Sequence, residues 1–411
     1  MRAGSSLSRV AKYNENVVIH SLRRLGPSSQ GPIAEMSGLS VQTVSAILRG
    51  LAVRGLVREL TTESVGRGRP RVIIDLVASA RYAIGFHIDP ALVTTVLLDM
   101  KGTVVASSSQ DEVDLDHPGR TVEDLAQGAT RLVRGAGVDR GRVVGACVAS
   151  PGPIDPVTQA PWHSVWMPAW TGFPVGRALG THLGFPVPVV KDTLAAVIGE
   201  NWVRGGESLD ATMVFVYLGA GTGVGLSLNG EPVRGFSGNA GEVGAMLVAV
   251  GARDDRRAGG IDNDPAAVVA KAHESGILDE PAPGPRDRRG VDRDFRRLCA
   301  IAARDGGDAA DLLQQAAVRI AEMVLMATEL VDADMAVFGG PYWELVRPWY
   351  EPVAISTLAA PSARGPHPVR VFSTAMGADV GAIGAASVVL DQRYVPRAPR
   401  RASPVVGGSG S

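Results

Sequence analysis

Cysteine is almost absent from this chain: Cys147 and Cys299 are the only two in 411 residues, far apart and each in apolar surroundings. Two thiols so placed exclude a disulfide framework and a cysteine zinc site, and they read as buried free thiols. Aromatic residues are sparse at 5%. No apolar run approaches the roughly 20 residues that span a bilayer. The start, MRAGSSLSRVAKYNENVV, lacks the apolar segment of a signal peptide. The expectation is a cytoplasmic protein with no membrane partner. Excess charge is missing as well, at −1 overall, but this total hides an asymmetry. Residues 1–80 hold eleven Lys and Arg against five Asp and Glu, a local +6 that leaves −7 for the remainder. The basic segment is where a polyanion would bind. Nearly all the basic residues are arginine, which suits bidentate phosphate and guanine contacts.

What is present is 45% hydrophobic sequence in a chain too long for one ordinary domain, so two or three packed cores are expected. Residues 14–60 read as three short helices. Val17, Val18, Leu22 and Leu25 give the first its apolar stripe, and Gly26 and Pro27 stop it. Pro32 to Met36 make the second, and Ser37, Gly38 and Leu39 a tight turn. The third starts at a capping Ser40 and runs to about Arg54, with Val44, Ile47, Leu48 and Leu51 at core-facing spacing. Gln42, Thr43, Ala46 and Arg49, with Ser45 beside them, are left on the outer face, as a major-groove recognition helix requires. LVREL, TTESVGRGRP and RVIIDL then read as two strands joined by a wing. In it Arg67 and Arg69 alternate with glycines that let the loop approach a sugar-phosphate backbone, and Arg71 follows. Candidate DNA-binding residues are therefore Ser40, Gln42, Thr43, Ser45, Arg49, Arg67, Arg69 and Arg71. The alternative is a dimerisation hairpin with a charged, solvated loop.

From Arg81 the pattern changes to alternating strands and helices. AIGFHI, VTTVLLDM and TVVASSS read as consecutive strands, TVEDLAQGATRLVRG as a helix, VVGACVASPGPID as a buried strand entering a turn, and VPVVKDTLAAVIGENW as a strand running into a helix. The theme returns in ATMVFVYLGAGTGVGLSLNG, DAADLLQQAAVRIAEMVLMATELVD and ADMAVFGG, so two lobes facing a cleft are expected. Residues 276–297, rich in Pro, Asp and Arg, read as a solvated loop.

Backbone amides at Gly219, Gly221, Gly223 and Gly225 suit an anion cradle, although such glycines also serve tight hairpins. Together, LGAGTGVGLSLNGEPVRGFSGNAGEVGAM, SPGPID, VVKDTLAAVIGE, AVFGG and STAMGADVGAIGAAS resemble, in order over residues 82–390, the family of repressors, open reading frames and sugar kinases known as ROK. Its repressor members carry an N-terminal winged helix-turn-helix with a GRGRP-like wing, as here. The resemblance implies an α/β fold: a winged helix-turn-helix followed by a two-lobed actin-like, sugar-kinase-like (ribonuclease H-like) ATPase-type fold. The expected domains are a DNA-binding domain over 1–79, a first lobe over 80–200 completed by about 373–392, a second lobe over 201–372, and a disordered tail over 393–411.

The resemblance also shows departures. Where the kinases carry a DxGGT phosphate-binding hairpin, this chain has His87, Asp89, Pro90 and Ala91, placing a negative charge and a missing N–H where triphosphate sits. Kinase activity, a catalytic residue and a cofactor are therefore not expected. Asp192 stands at the family's catalytic base and Glu242 at a carboxylate that binds sugar hydroxyls. Lys191, a position near Leu194, and Trp166 replace family asparagines, and Ala245 replaces a histidine. GARDDRRAGG, residues 251–260, replaces the cysteine-rich zinc loop, so no metal is expected. Trp166, Lys191, Asp192 and Glu242 form the candidate effector pocket, with Lys191 favouring an acidic or phosphorylated sugar; the alternative is a relict pair of carboxylates kept for internal hydrogen bonds. A lysine beside two carboxylates is costly to bury unless paired or functional. The expected function is a sequence-specific transcriptional regulator of carbohydrate-related genes, a repressor working as a homodimer or tetramer on a double-stranded DNA operator, with a sugar or sugar-phosphate effector. The rivals are an ATP-dependent sugar kinase with an appended DNA-binding domain, and a ligand-independent regulator.

Overall fold

The computed structural model describes residues 7–63, 71–90, 92–110, 114–162, 164, 167–206, 210–244, 246, 264–279, 281–284, 287–359 and 367–396. The chain divides into two units, Met1–Val77 with Asp391–Ser411, and Ala78–Leu390.

The first unit holds α1 (Leu7–Leu25), α2 (Gln30–Ser37), α3 (Val41–Val53), β1 (Val57–Glu63) and β2 (Arg71–Leu76). α1 starts earlier than its apolar stripe suggests, and Val18, Ile19 and Leu22 are its buried side. α2 ends at Gly38 with φ 68°, a left-handed conformation that costs glycine little. Ser40 caps α3: its Oγ accepts from Thr43 N at 3.2 Å. Val44, Leu48 and Leu51 are buried and Ile47 half-buried. β1 and β2 pair antiparallel from Val57↔Leu76 to Glu63↔Arg71, with an irregularity between Glu59 and Thr61.

The second unit contains two sheets built to one plan. In the first, β3 (Tyr82–Ile88), β4 (Val93–Asp99) and β5 (Val104–Gln110) form an antiparallel meander, and β6 (Val143–Ser150) and β7 (Val189–Lys191) extend it in parallel, in the order β5-β4-β3-β6-β7. α4 (Pro118–Gly135) and α5 (Val175–Leu183) pack on one face through Val122, Leu125 and Leu179. β3 and β4 are buried along their whole length, which explains their nearly continuous apolar sequence. α6 (Asp192–Val203) follows β7 and is buried from Asp192 to Trp202, hence largely apolar on all sides.

The second sheet repeats the pattern with β8 (Met213–Leu218), β9 (Thr222–Leu228), β10 (Glu231–Pro232), β11 (Met335–Gly339) and β12 (Arg370–Ser373), in the order β10-β9-β8-β11-β12. Its helices are α7 (Pro265–Glu274), α8 (Arg288–Asp305), α9 (Gly307–Val331) and α10 (Trp343–Leu358). α11 (Val380–Tyr394) packs so closely on β3 that a Cβ at Gly85 would lie 1.9 Å from Ala382 O; glycine is required there.

Two expectations need correction. Residues 288–297 are not loop but the start of α8, capped by Asp287. Val291, Phe295, Leu298, Cys299 and Ala302 are buried at helical spacing, and dense Asp and Arg on the other face obscured the period. The tail does not begin at 393 either: the helix continues to Tyr394, whose ring is buried, and Asn16 Nδ2 donates to Arg393 O at 3.1 Å within the first unit. Residues 397–411 lie outside the described residues. Among the described residues no single helix is long and apolar enough to cross a membrane.

Candidate functional site

Two sites emerge, one in each unit. In the first, a bend of 110° separates α2 from α3, within the range of helix-turn-helix motifs. Gln42, Ala46 and Arg49 are exposed along one side of α3, with Thr43 and Ser45 half-buried beside them. Ser40 and Thr43 have a structural duty, since their hydroxyls bond each other at 2.9 Å while Ser40 caps the helix. This leaves Gln42, Ser45 and Arg49 as the side chains free of capping work. Arg71 is exposed at the start of β2, while Arg67 and Arg69 lie outside the described residues.

In the second unit Lys191, Asp192 and Glu242 come together on one cleft of about 140 Å³ between the two sheets; Trp166 lies outside the described residues. β7 ends at Lys191 and α6 begins at Asp192, so the strand-to-helix junction presents both side chains. The aliphatic stem of Lys191 lies over Gly152, where a Cβ would sit 3.0 Å from Lys191 Cγ, and its Nζ pairs with Glu242 Oε1 at 2.7 Å. Lys191 is 5% exposed and Glu242 56%, so the ammonium is committed to a carboxylate that itself reaches solvent. Asp192 Oδ1 accepts from Thr193 N at 2.6 Å. Burial pushes the Asp192 carboxyl up to about 6, against the opposing pull of Lys191 and the Thr193 N–H.

The glycine-rich segment is a tight antiparallel hairpin, with Leu218 opposite Thr222 and Gly219 N donating to Gly221 O at 3.0 Å. Its outward amide at Thr222 is already taken, because Asp264 Oδ1 accepts from Thr222 N at 3.0 Å. Asp264 is buried at the N-terminus of α7, and desolvation pushes its carboxyl up to about 7, although the Thr222 N–H and Arg288 pull it down. Across the cleft Asp89 is buried at the start of the β3–β4 turn. Next to it His87 Nε2 lies 3.3 Å from Tyr217 Oη, with the two rings edge to face, and burial lowers the imidazole to about 4, keeping it neutral.

The sequence alone missed Asp264, Tyr217 and Thr193 as members of this cleft. Asp264 had a local signal: Asp followed by Pro265 marks a helix start. Tyr217 and Thr193 had none, since each reads as part of a buried strand or helix. Of Trp162, Trp166 and Trp170, which recur every four residues, Trp170 belongs to the core of the first lobe: it is fully buried, its Nε1 donates to Leu115 O at 2.9 Å, and its ring meets Phe173 edge to face. Trp162 is 54% exposed.

Residues 93–392 match the model of the ROK family. The chain is 26% identical over 357 residues to the uncharacterized protein y4fQ of Sinorhizobium fredii, covering 87% of this chain and 85% of that protein. It is 24% identical over 241 residues to the xylose repressor of Bacillus subtilis, covering 58% of this chain and 61% of the repressor. The fold is similar to the crystal structure of a ROK family transcriptional regulator, a homolog of the E. coli MLC protein, with TM-score 0.69 and 19% identity over 94% of this chain and 98% of that one.

Proposed function

The chain belongs to the ROK family, and on that premise we propose that it is a sequence-specific DNA-binding transcriptional regulator, a repressor of carbohydrate-related genes, whose second unit is an effector and dimerisation module without kinase activity. The observation that carries the reading is the exposed polar side of α3, set 110° from α2 and followed by the β1–β2 ribbon. In a homodimer two such helices read the half-sites of a pseudopalindromic operator, with the segment around Arg67 and Arg69 and with Arg71 on backbone or minor groove. The resemblance to a xylose repressor and to the fold of a ROK regulator supports the same reading.

ROK proteins include sugar kinases, and this cleft retains Asp192 where a kinase needs a base. Two features argue against phosphoryl transfer. Asp89 and Pro90 put a buried carboxylate and an imino acid in the first hairpin. The second hairpin offers its Thr222 amide to Asp264, an internal carboxylate held where an incoming phosphate oxygen would need that donor. The cleft then acts by differential affinity: a ligand that binds one dimer geometry better than the other changes operator affinity by the same coupling free energy.

The test is selection of bound sites from fragmented genomic DNA with the full chain, followed by a gel shift on the recovered site. Enrichment of a palindromic site near carbohydrate genes is the expected result, and sequence-indifferent binding overturns the reading. A coupled ADP-release assay across hexoses and amino sugars tests the rival; turnover abolished by Asp192→Asn makes the chain a kinase.

A further inference from the structure

The cleft is acidic in a way that its lysine conceals. Among the described residues four carboxyl groups line it, Asp89, Asp192, Glu242 and Asp264, against the single ammonium of Lys191. That ammonium is bound to Glu242 at 2.7 Å, so it is not available to an anionic ligand, contrary to the expectation that it favours an acidic or phosphorylated sugar. Arg288, half-buried nearby, acts on Asp264 and Asp89 and offsets part of the remainder. With every group ionised, the described residues contribute four negative and two positive charges, a balance of −2. Such a site repels phosphates and draws cations into a partly desolvated space.

The carboxylates are not placed for a metal, since among the described residues no three His, Cys, Asp or Glu side chains group as a metal site. Carboxylates that do not converge on one point can instead meet a larger cation that carries donors in several directions. An independent feature points to the same kind of ligand: Thr193 lines the cleft, is 1% exposed, and its Oγ1 has no hydrogen-bond partner. A buried hydroxyl left unpaired is destabilising, a cost that a polar ligand removes. The cleft, at about 140 Å³, is smaller than the roughly 300–1,000 Å³ of pockets for drug-sized ligands, so its ligand is small.

We propose that the ligand of this cleft is a small polyhydroxylated amine, a hexosamine with a free protonated amino group, recognised in preference to neutral or phosphorylated sugars. The ammonium pairs with a buried carboxyl of the cleft, while ring hydroxyls donate to the remaining carboxylate oxygens, including the outward oxygen of Glu242. The inference rests on the proposed role of the cleft as the effector site, but does not depend on which DNA sequence the first unit reads.

The experiment is calorimetric titration of the full chain with D-glucosamine, D-glucose and D-glucose 6-phosphate at pH 7.5, with operator binding measured on the same preparation. Glucosamine is expected to bind at least tenfold tighter than glucose, and glucose 6-phosphate more weakly than glucose. Glucosamine affinity should fall as pH drops from 7.5 to 5.5, since the raised Asp192 and Asp264 carboxyls take up protons across that range while His87 stays neutral and Arg288 stays charged. Asp264→Asn and, separately, Glu242→Gln should each reduce the glucosamine preference over glucose at least threefold, provided the variant keeps the parent's circular dichroism. Tighter binding of glucose 6-phosphate than of glucosamine, equal binding of glucose and glucosamine, or no binding of any of the three overturns the proposal. In each of these outcomes, retained operator binding leaves the regulator reading standing, whereas loss of specific DNA binding alongside intact glucosamine selectivity removes that reading and keeps this one.

Discussion

Replacing Asp264 with Asn tests the electrostatics of the cleft directly. Asp264 is 3% exposed, and its carboxyl is raised to about 7 from an ordinary value near 3.8 even though Thr222 N and Arg288 favour the ionised form. Desolvation therefore outweighs both partners. Because the folded state holds this proton more tightly than the unfolded state, the contribution of Asp264 to stability is fully present below about pH 4 and is lost as pH rises towards 7. At about 1.36 kcal/mol per pH unit, the loss above pH 7 is on the order of 4 kcal/mol. Asparagine retains an oxygen that can accept from Thr222 N but has no proton to lose. Asp264→Asn should thus match the parent near pH 4 and exceed it by several kcal/mol at pH 8. All six tryptophans lie between residues 162 and 349, so urea unfolding followed by their fluorescence reports on the second unit alone. Parallel stability curves from pH 4 to 8, or a variant that is less stable at pH 8, would refute the assignment of Asp264 as a carboxylate held against its own solvation.

The proposed DNA face gives sharper contrasts. Gln42→Ala should leave stability within about 0.5 kcal/mol, since Gln42 is exposed, yet cost about 1–3 kcal/mol of discrimination between the operator and a site mutated at one base pair, read by fluorescence anisotropy at fixed salt. Arg49→Ala should weaken binding to all sequences and flatten the logarithmic salt dependence by about one. Ser40→Ala removes the cap of α3 and should destabilise the first unit by about 1 kcal/mol, as seen in tyrosine fluorescence or circular dichroism, while lowering affinity without altering sequence preference.

α3 was legible because its apolar positions recur at helical spacing and its cap is a serine at the expected place. Ser40, Val44, Leu48 and Leu51 all carry local signals, and each occupies the position those signals imply. The paired five-stranded sheets were legible from strand-like runs that occur twice in the same order. α8 was not, because eight Asp and Arg residues between 287 and 297 mask a buried stripe of only five side chains. α10 was obscured in another way: Pro348 and Pro352 lie inside it, and proline ordinarily signals a helix end. The cleft was half legible. Lys191, Asp192 and Glu242 could be named from motifs, but the ion pair that cancels Lys191, and the bond from Thr222 to Asp264, join residues 51 and 42 positions apart and have no local signature.

The same long-range pairing suggests how the cleft is coupled to the rest of its unit. α6 carries Asp192 at its start and Glu200 two turns later, and Glu200 is fully buried. Its carboxylate accepts from Arg204 Nε at 2.6 Å, from Thr374 Oγ1 at 2.7 Å and from Ala375 N at 3.2 Å, while Arg204 also donates to Ser373 O at 2.6 Å. These bonds fix the far end of α6 to the segment that leads into α11. A rigid helix held at both ends passes a displacement at Asp192 to residues 373–376 instead of absorbing it, since packed interiors yield in discrete steps. Glu200→Gln keeps the shape and one acceptor but removes the charge that holds Arg204. It should cost about 2–3 kcal/mol of stability, as expected for hydrogen bonds to a charged group. If α6 is the lever, this variant should bind glucosamine with the parent's affinity but show a smaller ligand-induced change in operator affinity. Unchanged coupling with reduced stability would make the Glu200 cluster a structural fastening only, and the signal would have to leave the cleft by another element.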